Sequence, residues 1–150
     1  MQGKFPFEIR TWYPHMMPYD VHIWEKYVRA NPGLFLSCDY DVPIGPTPDW
    51  LDDDEDAATT RQGFLYRKKI DVVAYAPDYV ALIEVKPSAG SSALGQILGY
   101  QILFKQDFPN APRTVPMVVT NEAQNGYRAI FAQMGVQLVE TGRCEYCKNQ

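Results

Sequence analysis

Two adjacent apolar runs organise the middle of the chain: Ile70-Asp71-Val72-Val73-Ala74-Tyr75 and Tyr79-Val80-Ala81-Leu82-Ile83-Glu84-Val85-Lys86. Both are short and rich in β-branched residues, the second is bounded by turn residues, and both read as buried strands, over 64–76 and 79–86. Ala76-Pro77-Asp78 between them marks a hairpin. Upstream, Asp20 offers an N-cap for a helix over 21–30 that Asn31-Pro32-Gly33 ends, and 34–42 reads as a further strand with Cys38 in its middle. Downstream, Ser91 or Ser92 can cap a helix reaching 106, whose apolar residues run nearly all round and predict cover on most sides. A strand over 115–120, a helix over 122–134 and a last strand over 136–140 complete the order. Residues 1–18 show no clean period and read as an irregular arm. Phe5, Phe7, Trp12 and Tyr13 imply that this arm packs on its own domain or on a partner.

Three charges interrupt the two central runs. Side chains alternate along a strand, so Glu84 and Lys86 point one way and Val85 the other, while the hairpin brings Asp71 to the same spot. Two carboxylates about 4 Å apart repel by on the order of 4 kcal/mol at an effective dielectric near 20. A divalent cation is the simplest compensation. On the helix over 92–106, Gln96, Tyr100 and Leu103 fall at i, i+4 and i+7, so both polar groups aim at one place. They are either site residues or a buried Gln and Tyr bonded to local carbonyls.

The spacing Asp-x12-Glu-x-Lys, followed ten residues after Lys86 by Gln96-x3-Tyr100, resembles the motifs of the PD-(D/E)XK nuclease superfamily in its RecB-like and λ-exonuclease-like branch. The likeness extends over about 18–140, and Ile70 stands where that family often has Pro. The resemblance implies a restriction-endonuclease-like αβββαβ core, an α/β fold with a central mixed sheet flanked by helices. It implies Mg²⁺ or Mn²⁺ held by Asp71, Glu84 and the main-chain carbonyl of Val85, with Lys86 activating the attacking water and Gln96 and Tyr100 ordering the site. Many members add an acidic ligand from the first helix, and Glu25 resembles it; its other reading is an ion pair with Arg29 at i+4. Some members of this branch carry an iron-sulfur staple. Cys38 with Cys144 and Cys147 resembles that arrangement with one ligand missing, which His15, His22 or a partner chain would have to supply. Reduced thiols, with neither iron-sulfur nor zinc, are the expectation here.

At 150 residues the chain suits one domain with a single ordinary core, comprising the arm at 1–18, an acidic loop at 46–60 and a tail at 141–150. The net charge of −4 looks wrong for a nucleic-acid enzyme, but six acidic residues lie within 49–56, and the remainder has 14 basic against 12 acidic. Arg61, Arg67, Lys68 and Lys69 then form a basic run leading into Asp71, placed to meet a phosphate backbone. The acidic stretch lacks the Gly and alternating spacing of a calcium loop. No run is long enough to cross a bilayer, no signal-peptide pattern opens the chain, and three cysteines cannot all pair, so the expectation is a cytoplasmic protein, or a virion protein if phage-encoded.

These features point to a metal-dependent deoxyribonuclease acting on DNA by activated water, in the setting of a phage, a mobile element or DNA recombination; an RNA-processing nuclease would share the chemistry. The rival is a nuclease-fold structural or adaptor protein that meets other subunits through its aromatic arm. An intact Asp, Glu, Lys, Gln and Tyr set favours catalysis.

Overall fold

The computed structural model describes residues 1–50 and 65–143. In chain order the elements are α1 (Pro18–Ala30), β1 (Ser37–Ile44), β2 (Lys68–Tyr75), β3 (Tyr79–Ala89), α2 (Ser91–Asp107), β4 (Arg113–Ala123), α3 (Tyr127–Gln133) and β5 (Gln137–Glu140). The strands form a five-stranded sheet in the order β1-β2-β3-β4-β5. Its first two pairings are antiparallel and its last two parallel, because the tight turn after Tyr75 reverses the chain whereas α2 and α3 carry it back across the sheet. The fold is thus α/β with a mixed, open sheet.

Alternation along the strands sorts the core into two layers. Ile83, Val85, Val72 and Val119 face α1, packing with Trp24, Tyr27 and Val28 and with Phe7 and Tyr13 of the arm. Leu82, Val73 and Val118 face the other way, onto Ile97 and Phe104 of α2 and Phe131 of α3. No helix among the described residues is long and apolar enough to cross a membrane.

Several boundaries differ from those the sequence pattern predicts. α1 begins at Pro18 after Met17, so Asp20 lies in its first turn and is not the cap. Proline is pre-organised for that first position and extends the helix backwards past Val21. Strand β1 is displaced to Ser37–Ile44, and β2 starts at Lys68; Phe64, where that strand was expected to begin, lies outside the described residues. Gly90 precedes α2, and neither Ser91 nor Ser92 caps it. Strand β4 runs on to Ala123 because it stays paired with β3 through Ala89, so Glu122 sits on a strand, and the left-handed Gly126 separates it from a shorter α3. α2 is covered on one face only: Ala93, Ile97 and Phe104 are buried, whereas Ile102 is 60% exposed.

Of the four aromatics of the arm, Phe5, Phe7 and Tyr13 pack within the chain, and Trp12 stays 64% exposed. Phe5 and Cys38 exchange backbone hydrogen bonds of 3.0 and 2.8 Å, Gly3 N–H donates to Ser37 Oγ at 2.8 Å and Lys4 N–H to Asp39 Oδ1 at 2.7 Å. These bonds cover the outer edge of β1 over Ser37 to Asp39, the kind of free edge that otherwise invites pairing with another chain. Phe7 then seats its ring edge-on against Phe35 and Trp24.

The close approach of the arm requires glycine at one point. A Cβ on Gly3 would stand 2.4 Å from the carbonyl oxygen of Cys38, which is backbone of the sheet and cannot give way. Gly3→Ala should therefore lower stability by about 1–3 kcal/mol, as overpacking does, and open the first residues to limited proteolysis. An unchanged denaturation curve and digestion pattern would mean that the arm is not held at this edge.

Candidate active site

Antiparallel pairing between β2 and β3 stops at Val72 opposite Ile83, and the register extended by one residue sets Asp71 opposite Glu84. At that step the backbone ladder gives way to a side chain: Asp71 Oδ2 accepts the Val85 N–H at 2.8 Å. The strands part there, while β3 stays paired with β4, with Lys86 opposite Thr120. Alternation also slips on β2, since Ile70 and Val73 both join the α2-side layer while Val72 joins the other. Across from Asp71 on β1, Asp41 has φ 53, a left-handed conformation that Asp tolerates better than most residues. His15 Nδ1 is in hydrogen-bond contact with the same Asp41 carboxylate.

Glu84 is buried beside Asp71, and Lys86 Nζ lies 3.6 Å from its Oε1. Burial pushes the Asp71 carboxyl up to about 6, helped by the charge of Asp20 and opposed by the Val85 N–H and Lys86. Burial and the neighbouring charge of Asp71 push Glu84 further, to about 8. The two titrate as a unit. Burial of two neighbouring carboxyls favours keeping a proton within the pair near neutral pH. Glu84 Oε2 is buried without a hydrogen-bond partner.

Two helices flank this pair. From α2, Gln96 places Oε1 in a buried position with no partner. Tyr100 is half-buried, and burial, followed by the charges of Glu84 and Asp71, raises its hydroxyl to about 12. Gln96 thus keeps an unfilled acceptor, and Tyr100 lies within electrostatic reach of the carboxylates. From α1, the carboxylate that reaches the pair is Asp20: its charge acts on Asp71, and Lys86 acts on it in turn. Glu25 is engaged elsewhere. It accepts from Arg29 Nη2 at 3.1 Å and from the Tyr13 hydroxyl at 3.5 Å, at the wall of a cleft of about 420 Å³ between the arm and α1. Ile23, Trp24, Tyr27 and Val28 are the buried residues of the helix, and Asp20 precedes them by three, four, seven and eight positions, whereas a stripe started at Val21 shares only Trp24 and Val28 and selects Glu25.

The basic run is largely committed to the fold. Arg67 Nε donates to Gly45 O at 2.8 Å and its Nη2 pairs with Asp107 Oδ2 at 3.0 Å, so this guanidinium joins β2 to the end of α2. Lys69 Nζ donates to the carbonyls of Leu65 and Arg67. Lys68 is exposed, and Arg61 lies outside the described residues. Cys38 is a buried free thiol whose Sγ lies 3.4 Å from the Tyr40 hydroxyl, and burial pushes its pKa up. Cys144 and Cys147 also lie outside the described residues.

Compared with models of known families, with curated proteins and with solved structures, the chain matches none. The chemistry of the site therefore rests on its own residues. Among the described residues no group of three or more His, Cys, Asp or Glu side chains is arranged to hold a metal ion. A cation here would be held by two carboxylates, completed by main-chain oxygen and water. The pair fits that role. Fully ionised, it would confine more negative charge than the single Lys86 cation offsets, and Glu84 Oε2 has no donor.

The raised carboxyls set a pH dependence of stability. A carboxyl whose folded pKa lies above its unfolded value binds protons more tightly when folded, so folding is favoured at low pH. Stability without metal should fall as pH rises from the ordinary glutamate value of 4.5 to about 8, then level off. Glu84→Gln should flatten most of that decline. Urea denaturation in EDTA across this range checks it, and an identical slope in the variant would remove Glu84 as its source.

Proposed function

We propose that this chain is a metal-dependent phosphodiesterase, and more particularly a deoxyribonuclease with the restriction-endonuclease-like core of the PD-(D/E)XK superfamily. The observation that carries the reading is the Asp71–Glu84 pair where β2 and β3 part, with Glu84 buried, Asp71 Oδ2 accepting the Val85 N–H at 2.8 Å and Lys86 Nζ 3.6 Å from Glu84. The order helix, three strands, helix, strand agrees with that core, and the mixed sheet is of the right kind.

On this reading Asp71, Glu84 and the Val85 carbonyl would hold Mg²⁺ or Mn²⁺, with Asp20 adding negative charge from α1. When bound, the cation would polarise the scissile phosphate and acidify the attacking water. Lys86 stands on the rigid, β4-paired strand and sets a positive charge where negative charge grows in the transition state. Tyr100 remains a phenol at neutral pH and can donate a hydrogen bond to a phosphate oxygen. Gln96 offers an unfilled acceptor to a water or a nucleotide amino group. With Arg67 clamped to Asp107, phosphate contact near the site falls to Lys68 and Lys86.

Binding a cation must expel any proton that the pair keeps. Mg²⁺ or Mn²⁺ should raise the melting temperature by mass action and release about one proton near pH 7, read by calorimetry in buffers of different ionisation enthalpy. Asp71→Asn should abolish both effects. Lys86→Ala should keep the metal response while losing about 10²-fold or more of the cleavage rate on linear or circular DNA. A normal metal response in Asp71→Asn would move the site elsewhere. Metal binding with no cleavage by the wild type would favour the adaptor reading.

A further inference from the structure

We infer that the cleft between the arm and α1 is a nucleotide subsite, with Arg10 on a phosphate and Trp12 against the base. Which anion arrives rests on the nuclease reading, whereas the cleft itself is built of residues outside the Asp71–Glu84 pair. It measures about 420 Å³, within the range of small-ligand sites, and residues between Arg10 and Glu25 line it. These residues belong to the arm and to α1.

Arg10 is a cation without a counter-charge. Its Nε is buried with no hydrogen-bond partner, and no carboxylate among the described residues pairs with it. The guanidinium instead lies 4.5 Å over the Phe5 ring, and the Arg10 N–H donates to the Tyr13 hydroxyl at 3.0 Å. Phe5 is bonded to Cys38 at the sheet edge and Tyr13 is buried, so the charge is fixed in place before any ligand arrives. A guanidinium cannot shed its proton, and its planar fork matches the oxygens of a phosphate or carboxylate. Glu25 at the cleft does not answer it, being taken up by Arg29 Nη2 and the Tyr13 hydroxyl. The uncompensated charge here is positive, and it calls for an anion.

Trp12 supplies the other half of the site. It stays exposed on the cleft wall, which Met16, Pro18 and Val21 continue with apolar surface. An indole face open to solvent suits a flat ring. Position selects the nucleotide among flat organic anions: Pro18 and Val21 line the cleft, and Asp20, between them in the first turn of α1, acts on Asp71. A strand with its scissile phosphate at the carboxylate pair passes α1 there, and a neighbouring nucleotide can enter the cleft. A free mononucleotide brings the same two groups.

The test titrates thymidine monophosphate, which has no diester bond to cleave, into the full-length protein by calorimetry in EDTA, so that no cation at the carboxylate pair holds the phosphate. Arg10→Ala and Trp12→Ala should each weaken binding about tenfold or more. Arg10→Lys should restore only part, because it keeps the charge and loses the fork. Trp12→Ala should leave the melting curve unchanged, since the ring is exposed. No binding by the wild type, equal binding by both alanine variants, or benzoate bound as tightly as the nucleotide would overturn the subsite. Cleavage of linear DNA in Mg²⁺ then identifies the source. Inhibition by the mononucleotide that Trp12→Ala relieves, with a KM raised about tenfold in Arg10→Ala, assigns the cleft to a nucleotide of the strand; cleavage indifferent to both assigns it to the free mononucleotide. Nucleotide binding that depends on Arg10, in a protein that cleaves nothing with Mg²⁺ or Mn²⁺, would count against the nuclease reading and leave the subsite standing. Cleavage without nucleotide binding would do the reverse.

Discussion

The hydrogen bond from the Val85 N–H to the Asp71 carboxylate is the interaction on which the rest of the site depends. Up to Val72 and Ile83 the two strands are joined by backbone; one residue further a side chain takes the place of a ladder carbonyl. That substitution parts β2 from β3, brings Asp71 against Glu84, and leaves β3 supported from β4 alone. One wall of the opening is therefore rigid sheet, and it carries Lys86. The other wall is distorted, with alternation slipping at Asp71 and a left-handed Asp41 opposite. Strained backbone and broken patterning concentrate where a fold does something other than stabilise itself.

The same arrangement is a local cost to stability. Two carboxyls buried side by side disfavour each other's charged form, and Lys86 offsets only part of that cost. The two core layers offset this. Trp24 and Ile83 on one face, and Ile97, Phe104 and Leu82 on the other, are almost wholly inaccessible to solvent. A sheet packed on both faces can tolerate an opening at one end of its central strands. Unpartnered oxygens on Glu84 and Gln96 then read as capacity held in reserve for something that binds.

The arm shows two fates for its aromatic residues. Phe5, Phe7 and Tyr13 are drawn onto the β1 edge and α1, where they complete the first core layer and close, over Ser37 to Asp39, an edge that could otherwise recruit another chain. Trp12 remains outside, on the wall of the cleft beside α1. The basic run expected to meet phosphate acts first as scaffold, through Arg67 and Asp107, whereas Arg10, to which the charge pattern did not point, is left without an acceptor among the described residues.

Element order was legible in the chain because each element carries its own periodicity: alternating or continuous apolar runs for β2 and β3, helical spacing for α1 and α2. So was the convergence of Asp71, Glu84 and Lys86, which follows from strand alternation and one tight turn, both local facts. Whatever depended on distant partners was not legible. Which of two carboxylates on α1 acts on the pair was decided by the sheet beneath the helix: Asp20 does, and Glu25 is taken up by Arg29. Arg67 finds Asp107 forty residues away, which no local charge pattern announces. β4 outlasts its expected end because β3 stays paired with it to Ala89, and Glu122 is strand for that reason. The sequence by itself determined which segments would be strand or helix and which charges would break the core. Tertiary structure alone decided which of those charges meet, because burial, ion pairing and register depend on residues that come together only when the chain has folded.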